Sequence, residues 1–352
     1  MKTMKYSCIL FLFFLMKSCG ENLPPSQLFE IQLQNKKSSI KNGETIGITI
    51  LNKKQKEMGT VTYTLDGETL PISNNKITIN TKGLGRKSLK ANFSYNDAII
   101  EISKDIIVLS NKAPEVYTYS IVNTYPHDTK AYTQGLEFNE GFLYESTGKV
   151  GASTLRKVDF ETGEILQKID LDPKVFGEGL TILDDKIFLL TWQSGVGYVY
   201  DKDSFEQTST FNYGESKQGW GLANDGQKLF KSDGTEKIWF LDPTTLAEEG
   251  HLEIATNTSL FNRANELEFV DGKLYANVYG KESMMILDAN SGAIEGVINF
   301  GGLKDKVKKD GNWDDANSVL NGVAYHPERD TFFVTGKNWD TLFEVNIIKK
   351  MP

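Results

Sequence analysis

The residues best suited to chemistry stand at the same point of a repeated motif. The position before each Gly-Leu-like pair holds a polar or aromatic residue, in chain order Gln134, Glu178, Trp220, Asn265 and Asn321. A carboxyl such as Glu178 can take up and return a proton, and amides can donate hydrogen bonds to a polar substrate. Trp192, Tyr279 and Lys337 follow the second apolar segment of their repeats. One acid, one lysine, amides and aromatic rings together are typical of a ligand site.

These residues belong to a repeat that begins near residue 131. The third positions of its five motifs are 44, 42, 45 and 56 residues apart. In all but the last repeat, a third apolar segment ends at an aspartate, namely Asp159, Asp201, Asp242 or Asp288. A period of about 40 to 50 residues built of strands is typical of a β-propeller, in which each repeat forms one four-stranded blade. The fold class that we predict is therefore all-β, with a five-bladed propeller over residues 116–350.

Two irregularities of the repeat carry further predictions. The last repeat stops after three strands, and we expect residues 116–125 to supply its outer strand and so remove an open sheet edge. Antiparallel pairing should return the second strand of each repeat to the face where the first strand begins. The residues named above should therefore meet at one mouth of the central channel. The longest spacing contains residues 301–319, whose lysine-rich run predicts a solvated insertion on one face.

The region before the propeller has a different sequence pattern. Residues 28–112 alternate apolar and polar side chains, as in Thr45-Ile46-Gly47-Ile48-Thr49-Ile50. Such alternation beside a tight-turn pair like Asp66-Gly67 indicates half-buried strands in hairpins. About seven strands would fit, which is the size of an immunoglobulin-like β-sandwich. The region has no cluster of His, Cys or acidic residues, so it favours a spacer role.

The first residues indicate export. Lys2 and Lys5 precede an apolar run that is too short to remain as a membrane span, so residues 1–18 are interpreted as a signal peptide. The run ends at Ser18-Cys19, which resembles a bacterial lipoprotein cleavage site. We expect Cys19 to carry lipid, residues 19–27 to form a tether, and the membrane-anchored protein to face the periplasm or the cell surface.

Charge and histidine usage exclude some partners. The chain has 39 basic and 47 acidic residues, which gives no basic surface for nucleic acid. Its three histidines, His127, His251 and His326, show no metal-ligand spacing, and we interpret each as a loop or surface residue. We expect a monomer.

A family resemblance follows from motifs that occur in order over residues 116–348. The chain resembles the plant and bacterial glutaminyl-peptide cyclotransferases in Thr133-Gln134-Gly135-Leu136, Glu145-Ser146-Thr147-Gly148, Phe176-Gly177-Glu178-Gly179-Leu180-Thr181, Leu190-Thr191-Trp192, Gly219-Trp220-Gly221-Leu222, Asn265-Glu266-Leu267-Glu268, Asn321-Gly322-Val323-Ala324-Tyr325 and Val334-Thr335-Gly336-Lys337. The resemblance implies a five-bladed propeller. It also implies an enzyme that converts the N-terminal glutamine of peptides or proteins to pyroglutamate and releases ammonia.

The resemblance also implies roles for individual residues. The catalytic positions fall on Glu178, Lys337 and Asn265. The substrate-binding positions fall on Gln134, Trp192 and Trp220, with Tyr279 in place of a family tryptophan, Tyr132 where the family often has phenylalanine, and Asn321 completing the polar ring. Neither a metal nor a cofactor is required, although a structural Ca²⁺ is compatible with this reading.

Two other functions fit the same residues. Glu178, Asn265 and Asn321 carry oxygen atoms that suit Ca²⁺, as in a calcium-dependent lactonase-like propeller. Lys337 and Trp220 argue against that hypothesis, because they would place charge and apolar surface against the cation. The other alternative is a non-enzymatic surface module that binds a peptide while the sandwich extends it from the membrane.

Overall fold

The computed structural model describes residues 23–311 and 313–351. Its regular structure is nearly all β-strand, with one short helix, Pro25–Leu28, and two 3-10 turns, Gln34–Lys36 and Lys304–Lys306. Within those same residues, no helix is long and apolar enough to cross a membrane. The predicted signal peptide, the proposed lipid-bearing Cys19 and the start of the tether lie outside the described residues.

The N-terminal region contains eight strands in two sheets. They are β1 (Phe29–Leu33), β2 (Ser39–Lys41), β3 (Thr45–Asn52), β4 (Thr62–Leu65), β5 (Glu68–Leu70), β6 (Lys76–Thr78), β7 (Gly85–Tyr95) and β8 (Ala98–Leu109). One sheet has the order β1-β3-β6 and the other β2-β8-β7-β4-β5. The inward-facing side chains of both sheets, such as Ile46 on β3 and Leu89 on β7, share one apolar core.

The predicted hairpin at Asp66-Gly67 is confirmed. Strands β4 and β5 pair antiparallel on either side of it, and both residues have positive φ, 50° and 83°. Two successive residues with positive φ define the type I′ turn, whose twist matches that of the flanking strands. Alternating burial along β3 likewise places Ile46 and Ile48 in the core, as the sequence pattern predicts.

The rest of the chain forms five four-stranded antiparallel units. The first strand of this part, β9 (Glu115–Pro126), precedes unit one, which contains β10 (Thr133–Asn139), β11 (Phe142–Thr147), β12 (Thr154–Asp159) and β13 (Glu164–Asp170). Unit two contains β14 (Gly177–Leu183), β15 (Lys186–Thr191), β16 (Val196–Asp201) and β17 (Gln207–Asn212), and unit three contains β18 (Leu222–Asn224), β19 (Leu229–Ser232), β20 (Lys237–Leu241) and β21 (Glu248–Glu253). Unit four contains β22 (Ala264–Val270), β23 (Lys273–Val278), β24 (Ser283–Asp288) and β25 (Ile294–Asn299), and unit five contains β26 (Leu320–His326), β27 (Thr331–Gly336) and β28 (Thr341–Lys349).

Strand β9 completes unit five, as the sequence predicts for residues 116–125. It pairs antiparallel with β28 from Pro126 to Tyr117. Its first residues also pair in parallel with β25, which joins units four and five into one eight-stranded sheet. The first strands of the five units, β10, β14, β18, β22 and β26, contact one another in a closed ring.

Glycine at the motif positions permits the ring to be this narrow. A Cβ on Gly135 would lie 2.5 Å from the backbone nitrogen of Leu180, and a Cβ on Gly179 would lie 2.6 Å from that of Leu222. Both distances are shorter than real Cβ contacts. The glycine of each of these Gly-Leu pairs is therefore explained by the close approach of the neighbouring first strand, which leaves no room for a Cβ atom.

The recurring aspartates hold the turns between third and fourth strands. The Oδ1 atom of Asp159 accepts backbone N–H groups of Glu161 and Thr162, each at 3.0 Å. Asp201, Asp242 and Asp288 make equivalent bonds in their own units. The aspartates are therefore turn residues that repeat because the unit repeats.

The N-terminal region packs against units three and four. Ala255, in the loop after β21, belongs to the same apolar cluster as the N-terminal core. Arg86 on β7 pairs with Glu253 at 2.7 Å and also with Glu236. The backbone N–H of Leu84 donates to Ser291 O at 2.9 Å. Apolar, ionic and backbone contacts thus join the two regions.

Candidate active site

A cavity of about 350 Å³ opens where the first strands begin. We call this end of the ring the mouth. The cavity is lined by Tyr132, Gln134, Phe176, Glu178, Trp192, Trp220, Asn265, Tyr279, Asn317 and Lys337. Eight of the nine predicted catalytic and substrate-binding residues are therefore brought together. Asn321 is the exception, and Phe176 and Asn317 are additional.

Two kinds of position deliver these side chains. Gln134, Glu178 and Asn265 lie near the starts of first strands β10, β14 and β22. Trp192, Tyr279 and Lys337 directly follow second strands β15, β23 and β27. Antiparallel pairing brings these two groups to the same face, as the sequence predicts.

A break in strand pairing occurs at the mouth in four of the five units. The ladder register shifts between Thr133 and Gly135, between Gly177 and Leu180, between Ala264 and Leu267, and between Leu320 and Val323. The residues inside these irregularities include Gln134, Glu178, Asn265 and Asn321. A β-bulge redirects a side chain that regular pleating would point elsewhere, and bulges are common beside active sites. The same local irregularity in four units thus explains why the residue at this one position of the motif, in each of them, has a side chain that departs from the regular alternation of the strand.

The amides of the mouth form a directed chain of hydrogen bonds. Asn265 Nδ2 donates to Asn321 Oδ1 at 2.9 Å, and Asn321 Nδ2 donates to Gln134 Oε1 at 3.1 Å. Gln134 Nε2 then donates to Glu178 Oε1 at 3.1 Å. The chain fixes which way each amide faces and ends on the carboxyl group.

Asn321 differs from its predicted role. Its side chain is 1% exposed, and its Nδ2 atom also donates to Thr133 O at 2.9 Å. Both ends of the amide are thus engaged behind the cavity wall, where Asn321 holds Gln134 and Asn265. Asn321 therefore positions the two neighbouring amides and does not itself line the cavity.

Burial and a nearby lysine set the charge state of Glu178. Burial raises the pKa of Glu178 well above its ordinary value, while the positive charge of Lys337 lowers it in part. In turn, burial lowers the pKa of Lys337 to about 8, and Glu178 opposes that shift. A carboxyl with a raised pKa and an amine with a lowered pKa change protonation state more readily near neutral pH than ordinary Glu and Lys side chains do, which is typical of catalytic groups.

Aromatic rings flank the lysine. The Lys337 Nζ atom lies 4.8 Å from the ring centroid of Tyr132 and 5.6 Å from that of Tyr279. The faces of aromatic rings attract cations, so both tyrosines favour the charged form of Lys337. Burial raises the pKa of the Tyr132 hydroxyl to about 12, so this phenol stays neutral. The backbone N–H of Lys337 donates to Val319 O at 2.9 Å, which fixes the residue at the end of the insertion.

The aromatic walls are packed edge to face. Phe176 and Trp192 have ring centroids 5.7 Å apart, and Trp220 and Tyr279 have centroids 5.3 Å apart. The indole Nε1 atoms of Trp192 and Trp220 both donate to Gln218 Oε1, at 2.8 Å and 2.9 Å. Gln218 carried no signal in the sequence, because it lies in a loop that does not repeat between units.

The insertion of residues 301–319 is only partly a solvated segment. Its lysine run is largely exposed, as predicted, but Leu303 and Val307 are buried in an apolar cluster with Trp339. Asn317 lines the cavity. The insertion therefore contributes to the site and is anchored by its apolar side chains.

The histidine interpretation was wrong for His326 and incomplete for His127. His326 is buried at the end of β26, 4.7 Å from the ring centroid of Phe138. His127 lies in a loop, but its side chain contacts Glu145 at 3.1 Å and Trp339 O at 2.8 Å. Burial lowers the pKa of His127, and the Glu145 charge and hydrogen bond outweigh that effect and raise it. Glu145 also accepts from Thr133, next to Gln134.

The described part of the chain holds no group of three or more His, Cys, Asp or Glu side chains arranged for a metal ion. Two of the three side chains on which the calcium hypothesis depends already accept hydrogen bonds through their oxygen atoms. Asn321 Oδ1 accepts an amide N–H of Asn265, and Glu178 Oε1 accepts one of Gln134. This donor set fits a polar organic substrate better than a hard cation.

Comparisons with known proteins agree on one family. A family model described as glutamine cyclotransferase matches residues 94–347. The glutaminyl-peptide cyclotransferase of Arabidopsis thaliana is 36% identical over 242 residues, which cover 68% of this chain and 73% of that protein. The crystal structure of Myxococcus xanthus glutaminyl cyclase superposes with a TM-score of 0.63 at 32% identity, covering 68% of this chain and 100% of that chain.

Proposed function

The chain belongs to the glutamine cyclotransferase family, and we propose that Glu178 is the proton shuttle of its reaction. Its activity is that of a glutaminyl-peptide cyclotransferase. The substrates are peptides or proteins that begin with glutamine, and the products are the pyroglutamyl peptide and ammonia. The mouth cavity is the site at which the first residue binds.

The reaction needs one proton to move between two nitrogen atoms. The α-amino nitrogen forms a bond to the γ-carboxamide carbon, and the bond from that carbon to the amide nitrogen breaks. The attacking amine loses a proton and the leaving nitrogen gains one, so ammonia departs and the number of protons balances. A single carboxyl close to both nitrogen atoms can carry that proton in both steps.

One observation carries this assignment. Glu178 is the buried carboxyl that lines the cavity, with its pKa raised by burial and with Lys337 acting on it electrostatically. As a carboxylate it takes the proton of the amine, and the raised pKa makes it a sufficiently strong acid–base partner near neutral pH.

Lys337 and Asn265 suit the developing oxyanion. When the amine adds to the carboxamide, negative charge collects on its oxygen, and fixed donors stabilise that charge more than they stabilise the substrate. Lys337 is held by the two tyrosine rings, and Asn265 by its bond to Asn321. Because neither group must reorganise, both stabilise the transition state at little cost.

The aromatic walls serve orientation. Ring closure is intramolecular, and its rate depends on how often the glutamine chain folds back on itself. Trp192 and Trp220 both line the cavity and restrict the side chain that enters it. The chemistry proceeds without a metal in this proposal.

We also infer the finer architecture. The closed ring of first strands and the completion of unit five by β9 support a five-bladed β-propeller. The two sheets around one core support an immunoglobulin-like sandwich before it, with a spacer role. Residues 1–19 support export and lipid anchoring at Cys19, on sequence grounds alone.

The test of function is ammonia release from a dipeptide that begins with glutamine. We expect turnover, with pyroglutamyl product formed in equal amount by mass spectrometry and an unchanged rate after treatment with a chelator. The matched dipeptide with an acetylated N-terminus should be inert, because its nitrogen cannot attack. Absence of turnover with the free dipeptide would contradict the function, and loss of turnover with chelator would contradict the metal-independent mechanism.

A further inference from the structure

The segment of residues 213–219 is not used by the mechanism above, yet it contacts both tryptophan walls. It connects β17 to β18, crossing from the outer strand of unit two to the first strand of unit three. We call it the clasp. Its contacts fall into three groups, with the indoles, with the backbone around Trp192, and with a buried lysine.

The first group joins the two walls directly. Gln218 Oε1 accepts the indole N–H of Trp192 and that of Trp220. The two tryptophans come from different units, Trp192 after β15 and Trp220 before β18. A single amide oxygen therefore ties together two rings that no strand pairing connects.

The second group holds the backbone on either side of Trp192. The Tyr213 hydroxyl accepts the N–H of Thr191 and donates to its carbonyl oxygen, both at 2.8 Å. At the other end of the clasp, the N–H of Gly219 donates to Trp192 O at 3.0 Å. The position of Trp192 thus depends on both ends of the clasp.

The third group of contacts anchors the middle of the clasp. Lys231 on β19 is fully buried, and its Nζ atom contacts Ser216 Oγ and lies 3.1 Å from Glu248 Oε1. Glu248 also accepts the backbone N–H of Ser216 at 3.1 Å. The lysine lies over the Tyr213 ring, 3.6 Å from its centroid. A buried ion pair with these additional bonds leaves the clasp little freedom to shift.

We propose that Gln218 is a positioning residue that fixes the spacing of Trp192 and Trp220. Because the clasp is anchored, the two indoles already have this spacing in the free enzyme, before substrate binds. The cavity is then preformed for a folded glutamine side chain, and binding need not order the indoles. The proposal rests on the cyclotransferase function for its kinetic consequence, but the geometry can be tested without turnover.

The key variant is Gln218→Met, which keeps the length of the side chain and removes the acceptor. Because two neutral hydrogen bonds are lost, we expect kcat/KM to fall about 10-fold, with most of the change in KM. Gln218→Glu retains an acceptor oxygen and should restore KM to within about 3-fold of wild type. The control is Gln227→Met, the same change in an exposed turn, which should leave both constants unchanged.

The direct readout is the set of indole N–H resonances in a ¹⁵N NMR spectrum of the full chain, which has five tryptophans. We expect two of them, assigned through Trp192→Phe and Trp220→Phe, to shift in Gln218→Met and to return toward their wild-type positions in Gln218→Glu. Unshifted resonances would overturn the clasp even if the enzyme turns over normally. Shifted resonances with unchanged KM would overturn its role in substrate binding, and a Glu variant as impaired as the Met variant would overturn the acceptor as its cause.

Discussion

The carboxyl groups on the first strands fall into two sets: Glu178 alone lies at the mouth, and three others lie deeper in the ring. Burial is the main cause that raises the pKa of Glu178 at the mouth and of Glu137, Glu266 and Glu268 below it. The shift in pKa alone therefore does not distinguish a catalytic group from a structural one.

The partners of these carboxyls do distinguish them. Glu266 accepts the backbone N–H of Val323 at 2.8 Å and of Leu136 at 3.3 Å, and Glu268 accepts that of Tyr325 at 2.9 Å. Glu137 accepts the N–H of Ile182 at 3.1 Å. Each bond links first strands of different units, which share no ladder. Glu178 instead accepts from the Gln134 side chain and faces the cavity and Lys337.

The comparison shows how one kind of residue serves two purposes on the same ring. A carboxyl whose oxygens are occupied by backbone N–H groups holds strands together and is not available to a substrate. A carboxyl with an open side toward a cavity is free to exchange a proton. Substitutions at Glu178, Lys337 and Glu266 separate the two purposes.

The largest effect is expected for Glu178→Gln. The amide cannot carry a proton between nitrogen atoms, so kcat should fall about 10³-fold, within the range typical of general acid–base catalysis. The bond from Gln134 is retained because the new side chain still has an acceptor oxygen, so the thermal midpoint should not change. Ammonia release and circular dichroism melting check the two parts. Retention of more than about a tenth of the wild-type kcat contradicts the shuttle assignment.

Lys337→Met should have the next largest effect. Removal of one oxyanion donor typically costs about 10²-fold in kcat, and we expect a loss of that size. The matched control is Lys149→Met. Lys149 lies 4.9 Å from the Tyr132 ring centroid but is exposed, and its loss should change kcat by less than about 3-fold. Equal losses in the two variants would contradict a specific role of Lys337 as the oxyanion donor.

Glu266→Gln should lower the stability of the fold and leave catalysis nearly unchanged. An amide has one acceptor oxygen and would place an N–H group against the Leu136 or Val323 N–H, leaving a buried donor unpaired. The free energy of unfolding should fall by about 1–3 kcal/mol, measured by urea denaturation, while kcat stays within a few-fold of wild type. Glu164→Gln, on exposed β13, is the control and should change neither quantity. A catalytic loss without a stability loss would place Glu266 in the chemistry.

Much of this arrangement is predictable from sequence because the unit repeats. The Gly-Leu pairs mark where neighbouring first strands approach, and the variable residue before each pair marks the mouth. The resemblance supplied the roles of Glu178, Lys337 and Asn265. The placement of these residues at one mouth, in contrast, needed only the period of the repeat and the antiparallel pairing within it.

The remaining features depend on contacts that the repeat does not encode. Gln218 lies in a connecting loop, and its partners Trp192 and Trp220 are brought to it by two different units. The pairing of His127 with Glu145 joins a loop to β11. Asn321 has the residue type of a substrate ligand, but its partners hold it behind the wall. Each outcome depends on side-chain partners distant in the chain or on the local bulge.

The most direct test of the distinction between the two sets is the pH dependence of kcat/KM, measured for wild type, Glu266→Gln and Lys337→Met. Glu178 accepts the proton as a carboxylate, so activity should fall as pH drops through its raised pKa. Lys337 acts as an ammonium group, so activity should also fall as pH rises above about 8, except in Lys337→Met. We predict that kcat/KM falls on the acid side at a pH above the ordinary pKa range of glutamate. The pH of this fall should be the same in Glu266→Gln as in wild type. A fall at the ordinary glutamate pKa, or one that moves in Glu266→Gln, would contradict the account.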